Sequence, residues 1–75
     1  MFEKVRDIIA ELLALEKEKD TITLNAHYCD LGADSLDMVE IVCAIEDEFD
    51  ISIDDEVYKQ WKTVKDTMET LEEIL

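Results

Sequence analysis

Apolar residues recur at helical spacing in three separate stretches of the chain. In the first, Val5, Ile8, Ile9, Leu12 and Leu13 stand at i, i+3, i+4, i+7 and i+8. That leaves Glu3, Lys4, Arg6, Asp7 and Glu11 to the other faces, and it predicts an amphipathic helix over residues 2 to about 15. In the second, residues 35 to about 49, Met38, Ile41, Val42, Ile45 and Phe49 are spaced for a core. The third opens on Thr63-Val64-Lys65-Asp66, a capping box, and continues through Val64, Met68, Leu71 and Leu75 at 4-3-4 spacing. Residues 50 to 62 read as an acidic loop and one short helix, with Val57 and Trp61, at i and i+4, packing the single indole on the core.

Between the first two stretches, from Glu16 to Ala33, the period lapses. Thr21, Ile22, Thr23 and Asn25 disfavour helix, and no strand partner is evident. A loop this long in a compact domain needs pins, and Ile22, Leu24, Tyr28 and Leu31 are expected to supply them. The fold class expected is all-α: a small four-helix bundle, three longer helices and one short, with a long loop between the first and second helices. Residues 1–75 form one domain in this reading, at a size where a single core is marginally sufficient.

Charge adds the next constraint. The net charge is −14, and all twelve acids from Asp20 to Tyr58 stand without a single Lys or Arg among them. Such a one-signed block repels phosphate backbones and anionic membrane surfaces, so neither nucleic acid nor membrane insertion is expected. It attracts basic protein patches and divalent cations. Two cysteines, Cys29 and Cys43, are too few for a disulfide framework. No apolar run approaches the roughly 20 residues that span a bilayer. The charged start through Glu3, Lys4, Arg6 and Asp7 lacks the features of a signal peptide, so a cytoplasmic location is the default expectation.

No intrinsic metal site is expected. His27, Cys29 and Cys43 do not supply the closely paired ligands of structural zinc. Read as a calcium loop from Asp50, the chain has Asp55 where glycine is needed and Trp61 where a bidentate Glu is needed.

The chemistry concentrates in Asp30-Leu31-Gly32-Ala33-Asp34-Ser35-Leu36-Asp37, which holds the only glycine. Gly32 lets the backbone turn at positive φ. Asp34 or Ser35 then caps the central helix. A loop that delivers a hydroxyl to a helix N-terminus suits a phosphate; the plainer reading is that Ser35 is only a cap. Beyond Ser35 a second stripe of the same helix, Leu36, Asp37, Glu40, Cys43 and Asp47 with Val39 at its margin, mixes carboxylates with apolar residues. For a partner that must seat Ser35, the acids would orient basic patches, and Leu36, Val39 and Cys43 would give apolar contact.

Those eight residues, with Met38-Val39-Glu40-Ile41-Val42 and Ala44-Ile45-Glu46-Asp47-Glu48-Phe49, resemble the modification motif of acyl carrier proteins, in particular the free-standing bacterial fatty-acid type. The resemblance implies that Ser35 carries 4′-phosphopantetheine, taken from coenzyme A, whose terminal thiol holds acyl groups as thioesters. It implies a separate phosphopantetheinyl transferase, with Asp34 helping to hold Mg²⁺ in that complex. It also implies acyl-processing enzymes with basic patches that read the central helix, and a monomeric carrier. The chain departs from the family in lacking a proline near the short helix, and in placing Trp61 where a smaller aliphatic residue is usual. Both departures bear on the acyl-binding cavity, since the short helix usually forms one of its walls.

The function expected is therefore a carrier and not an enzyme, most simply in fatty acid biosynthesis, with a polyketide or other specialised acyl pathway as the alternative. An acidic, divalent-responsive interaction module is a competitor from another class. A serine hydrolase is a further one, but Ser35 has only His27 as a possible base and no residue to orient it.

Overall fold

A computed structural model describes residues 2–75 and places them in four α-helices and one 3₁₀ segment. Helix α1 spans Phe2–Leu12, α2 Ser35–Phe49, α3 Asp55–Tyr58 and α4 Val64–Ile74. The all-α bundle of three longer helices and one short one is thus the observed architecture.

Helix α1 stops at Leu12, short of residue 15, because the chain turns over at Ala14 (φ 58°). The Leu15 N–H returns to the Ala10 carbonyl (2.7 Å) and the Ala14 N–H to Glu11 (3.4 Å), which satisfies carbonyls the helix end would leave free. Its buried face is centred on Val5, Ile9 and Ala10; Leu12, assigned to the core by spacing, is exposed. Helix α2 ends the same way, with Asp50 left-handed (φ 55°) and the Ile51 N–H on the Glu46 carbonyl.

The connection between α1 and α2 is more ordered than its sequence suggests. Glu16–Thr21 forms a 3₁₀ helix kinked at Glu18, where no helix was expected. Residues 24–28 then run against the start of α4. The Tyr28 N–H donates to the Lys62 carbonyl (3.0 Å), Val64 N–H to Ala26 (3.0 Å) and Lys65 N–H to Leu24 (2.9 Å), around an antiparallel bridge of His27 with Thr63. The segment did have a partner; one isolated bridge onto a helix cap leaves no periodic signal to read. Ile22 and Tyr28 are buried pins and Leu31 packs against the core, but Leu24 is exposed.

Ile41, Val42 and Ile45 of α2 meet Val64, Met68 and Leu71 of α4 in the same buried cluster as the α1 face. Leu75, at the end of the expected α4 stripe, is 61% exposed, and Thr67 is buried instead. The polar Thr67 is tolerated there because its hydroxyl is hydrogen-bonded to the buried Tyr28 hydroxyl. At the other end, Thr63 and Asp66 cap α4 reciprocally, as the sequence predicts. Val57 is exposed, and Trp61 is buried from a position beyond the end of α3 rather than within it. Segment 51–54 is held to α2 by the Ile53 N–H, which donates to the Glu46 carboxylate (2.7 Å).

Candidate functional site

The loop before α2 is built to fix one residue. Tyr28, anchored to Lys62 through its N–H, carries a tight series of turns through its own carbonyl and its neighbours'. Leu31 N–H donates to Tyr28 (3.1 Å), Gly32 N–H to Cys29 (3.2 Å) and Ala33 N–H back to Tyr28 (3.0 Å). Gly32 sits at φ +85°, and a Cβ there would meet nothing within 4 Å. Backbone conformation, not space, is what requires glycine.

Asp34, in extended conformation, is the N-cap of α2. Its Oδ1 accepts from the Asp37 N–H (2.9 Å), and Asp37 Oδ2 accepts from the Asp34 N–H (3.1 Å). This corrects the reading of Ser35 as a possible cap. Ser35 is the first residue of the helix and is exposed. Its hydroxyl therefore stands at the positive end of a 15-residue helix, where an attached phosphate is electrostatically favoured.

The proposed recognition stripe is exposed as a band running up α2: Leu36, Val39, Glu40, Cys43 and Asp47 all face outward. Leu36 is 71% exposed, the most of any large apolar residue in the chain's described part. Asp37 differs: it is half-buried and committed to the cap. The two cysteines are free and exposed. Among the described residues no group of three or more His, Cys, Asp or Glu side chains is gathered to hold a metal ion.

Two grooves open beside Ser35. One, of about 470 Å³, runs under the Tyr28–Cys29 turn to Lys62; the other, of about 400 Å³, lies between Val39 of α2 and Tyr58 and Lys59 at the end of α3. Ser35, Met38 and Trp61 line both. Lys59 and Lys62 are the first cations after the acidic block, and each reaches one groove. Sequence reasoning passed over both lysines and Tyr58; the break in a long run without bases was the available signal. An exposed serine hydroxyl, a helix N-terminus and a flanking lysine in each groove suit a phosphodiester carrying an elongated organic arm.

Residues 3–71 match the family described as "Phosphopantetheine attachment site". The chain belongs to this family. It is a carrier protein of the acyl or peptidyl kind, and the family's domain carries covalently attached 4′-phosphopantetheine. Carrier domains of this kind are non-catalytic; they interact with phosphopantetheinyl transferases and with acyl-processing enzymes. Among the described residues no helix is long and apolar enough to cross a membrane.

Proposed function

We propose that Ser35 is the attachment residue, and that residues 1–75 work as one acyl carrier domain in fatty acid biosynthesis. One observation supports the assignment of Ser35 above all: Asp34 and Asp37 satisfy the helix cap between themselves and leave the Ser35 hydroxyl exposed and uncommitted. Attached there, the arm would present its terminal thiol to hold an acyl group as a thioester. The carrier's own residues position the arm and orient partners; tethering raises the effective concentration of the acyl group at each partner.

In this reading Asp34 faces the metal of the transferase complex, and Leu36, Asp37, Val39, Glu40, Cys43 and Asp47 form the docking face. Basic patches on transferase and acyl-processing enzymes complement it. The fatty-acid pathway is inferred from the wording Gly32-Ala33-Asp34-Ser35-Leu36-Asp37. A monomer in the cytoplasm completes the proposal, since a net charge of −14 disfavours self-association through like-charge repulsion.

The test is intact mass before and after incubation with a broad-specificity phosphopantetheinyl transferase, coenzyme A and Mg²⁺, with Ser35→Ala alongside. The proposal expects one phosphopantetheine on the parent protein and none on the variant. A folded, unmodified parent that gains nothing, or a variant that gains the arm, contradicts it.

A further inference from the structure

We propose that Lys59 and Lys62 are positioning residues for the arm: one from each groove, they take the negative charge of its phosphodiester and hold its root away from the docking stripe. The inference rests on Ser35 as the attachment point and goes beyond it in naming what holds the phosphate.

The need for a cation follows from the cap. The N-terminus of a helix offers a field equivalent to about half an elementary charge. At α2 that field is already shared by the Asp34 and Asp37 carboxylates, which accept each other's backbone N–H. A phosphodiester on Ser35 keeps one full negative charge and is a third anion at the same helix end. The flanking sequence supplies nothing to offset it, since Asp20 to Tyr58 holds no Lys or Arg. The compensating charge has to come from across the fold.

Two side chains are placed to supply it. Lys62 lines one groove beside Ser35 and Lys59 the other, and no other Lys or Arg lines either. Among the described residues Lys4, Arg6 and Lys19 are drawn into ion pairs, whereas Lys59 and Lys62 are in none. Asp66, close to Lys62 in sequence, is engaged instead by the backbone N–H groups of Lys62 and Thr63. A phosphodiester has two unesterified oxygens, enough to receive a lysine from each groove. Leu36, Glu40, Cys43 and Asp47 line neither groove, so a phosphate drawn to the lysines leaves that stripe clear for a partner. Both lysines are exposed, and each contact of this kind favours the held arm by only about two- to fivefold.

The experiment uses the full chain, with the arm installed from coenzyme A and loading confirmed by intact mass. The parent is compared with the Lys59→Gln, Lys62→Gln double variant, each with and without the arm, so that any effect of the substitutions on the fold alone cancels. Both substitutions keep the backbone hydrogen bonds of these residues. At low salt, adding the arm should leave the double variant's melting midpoint about 4 °C lower, relative to its unmodified form, than the same addition leaves the parent's. The gap should close at about 1 M salt. Phosphorus NMR gives a second readout: the phosphodiester resonance should move with salt in the parent and hold still in the double variant. Lys59→Arg with Lys62→Arg should behave as the parent does. A midpoint that responds to the arm equally in parent and double variant, or a phosphorus resonance indifferent to the substitutions, would overturn the proposal and leave Ser35 in place. Absence of any added mass on the parent would remove the Ser35 assignment and this proposal together.

Discussion

Asp34 and Asp37 cap each other: each carboxylate accepts the other's backbone N–H across the first turn of α2. Two like-charged side chains are held near each other, and the field of the helix N-terminus compensates both. The reciprocal bond fills the capping role that Ser35 would otherwise take.

Asp34→Ala should cost about 1 kcal/mol and lower the melting midpoint by roughly 4–8 °C. Asp34→Asn keeps the accepting oxygen and should melt near the parent. It should still be modified more slowly by the transferase, because the carboxylate proposed to face the metal is gone. Equal modification rates for Asn and parent would separate Asp34 from that role.

Charge reversal on the exposed face is best made at Glu40 and Asp47, since Asp37→Lys would break the cap as well as change the charge. Of the twelve acids between Asp20 and Tyr58, only Glu48 appears in an ion pair among the described residues, with Lys4 at 3.1 Å. Of the others, Asp34, Asp37 and Glu46 are engaged by backbone N–H groups, while Glu40 and Asp47 stand exposed toward partners. Glu40→Lys with Asp47→Lys should slow modification several-fold at low salt, with the gap closing as ionic strength rises. A rate unchanged at low salt would remove this face from the docking surface.

Burial pushes the Tyr28 hydroxyl up to about 12, with the nearby Asp66 carboxylate adding to the shift and the Thr67 hydrogen bond opposing it. The folded state therefore keeps this proton at pH values where the unfolded chain has lost it. The stability from Tyr28 is complete below pH 10 and declines between 10 and 12, by an amount on the order of 2–3 kcal/mol. Tyr28→Phe should be less stable at neutral pH, because it leaves the Thr67 hydroxyl buried and unpaired, and its stability should fall less steeply above pH 10. Chemical denaturation of both proteins from pH 8 to 12 checks this; parallel curves would contradict it.

The three longer helices were legible because their apolar residues repeat every three or four positions, and the Thr63–Asp66 box because its pattern is local. What escaped the sequence depends on single distant partners. Thr67 looks like a surface residue until Tyr28 arrives from 39 positions away to share its hydroxyl. His27 pairs with Thr63 only once α4 is in place. Trp61 has the spacing of a helical contact with Val57, yet α3 ends at Tyr58 and the indole is positioned by Thr70. At the candidate site, Asp34 and Ser35 are both competent caps, and only the extended backbone of Asp34 separates the cap from the first helical residue.

Ala14 is one of two non-glycine residues at positive φ among those described, and it closes α1 in a conformation that an L side chain resists by about 1–2 kcal/mol. Ala14→Gly should recover roughly half of that, after the added freedom of the unfolded chain, and raise the melting midpoint by several degrees. A lower midpoint would mean that α1 does not end in this turn.

The most direct measurement of the central claim is the position of the arm on the modified protein. Ser35 and Ser52 are the only serines, and trypsin leaves them on one peptide because no Lys or Arg lies between Lys19 and Lys59. Cleavage after glutamate, at Glu40, Glu46 and Glu48, separates them. Fragmentation of those peptides should find phosphopantetheine on the one that contains Ser35 and none on the one that contains Ser52. An arm on Ser52, or on any residue other than Ser35, would contradict the account.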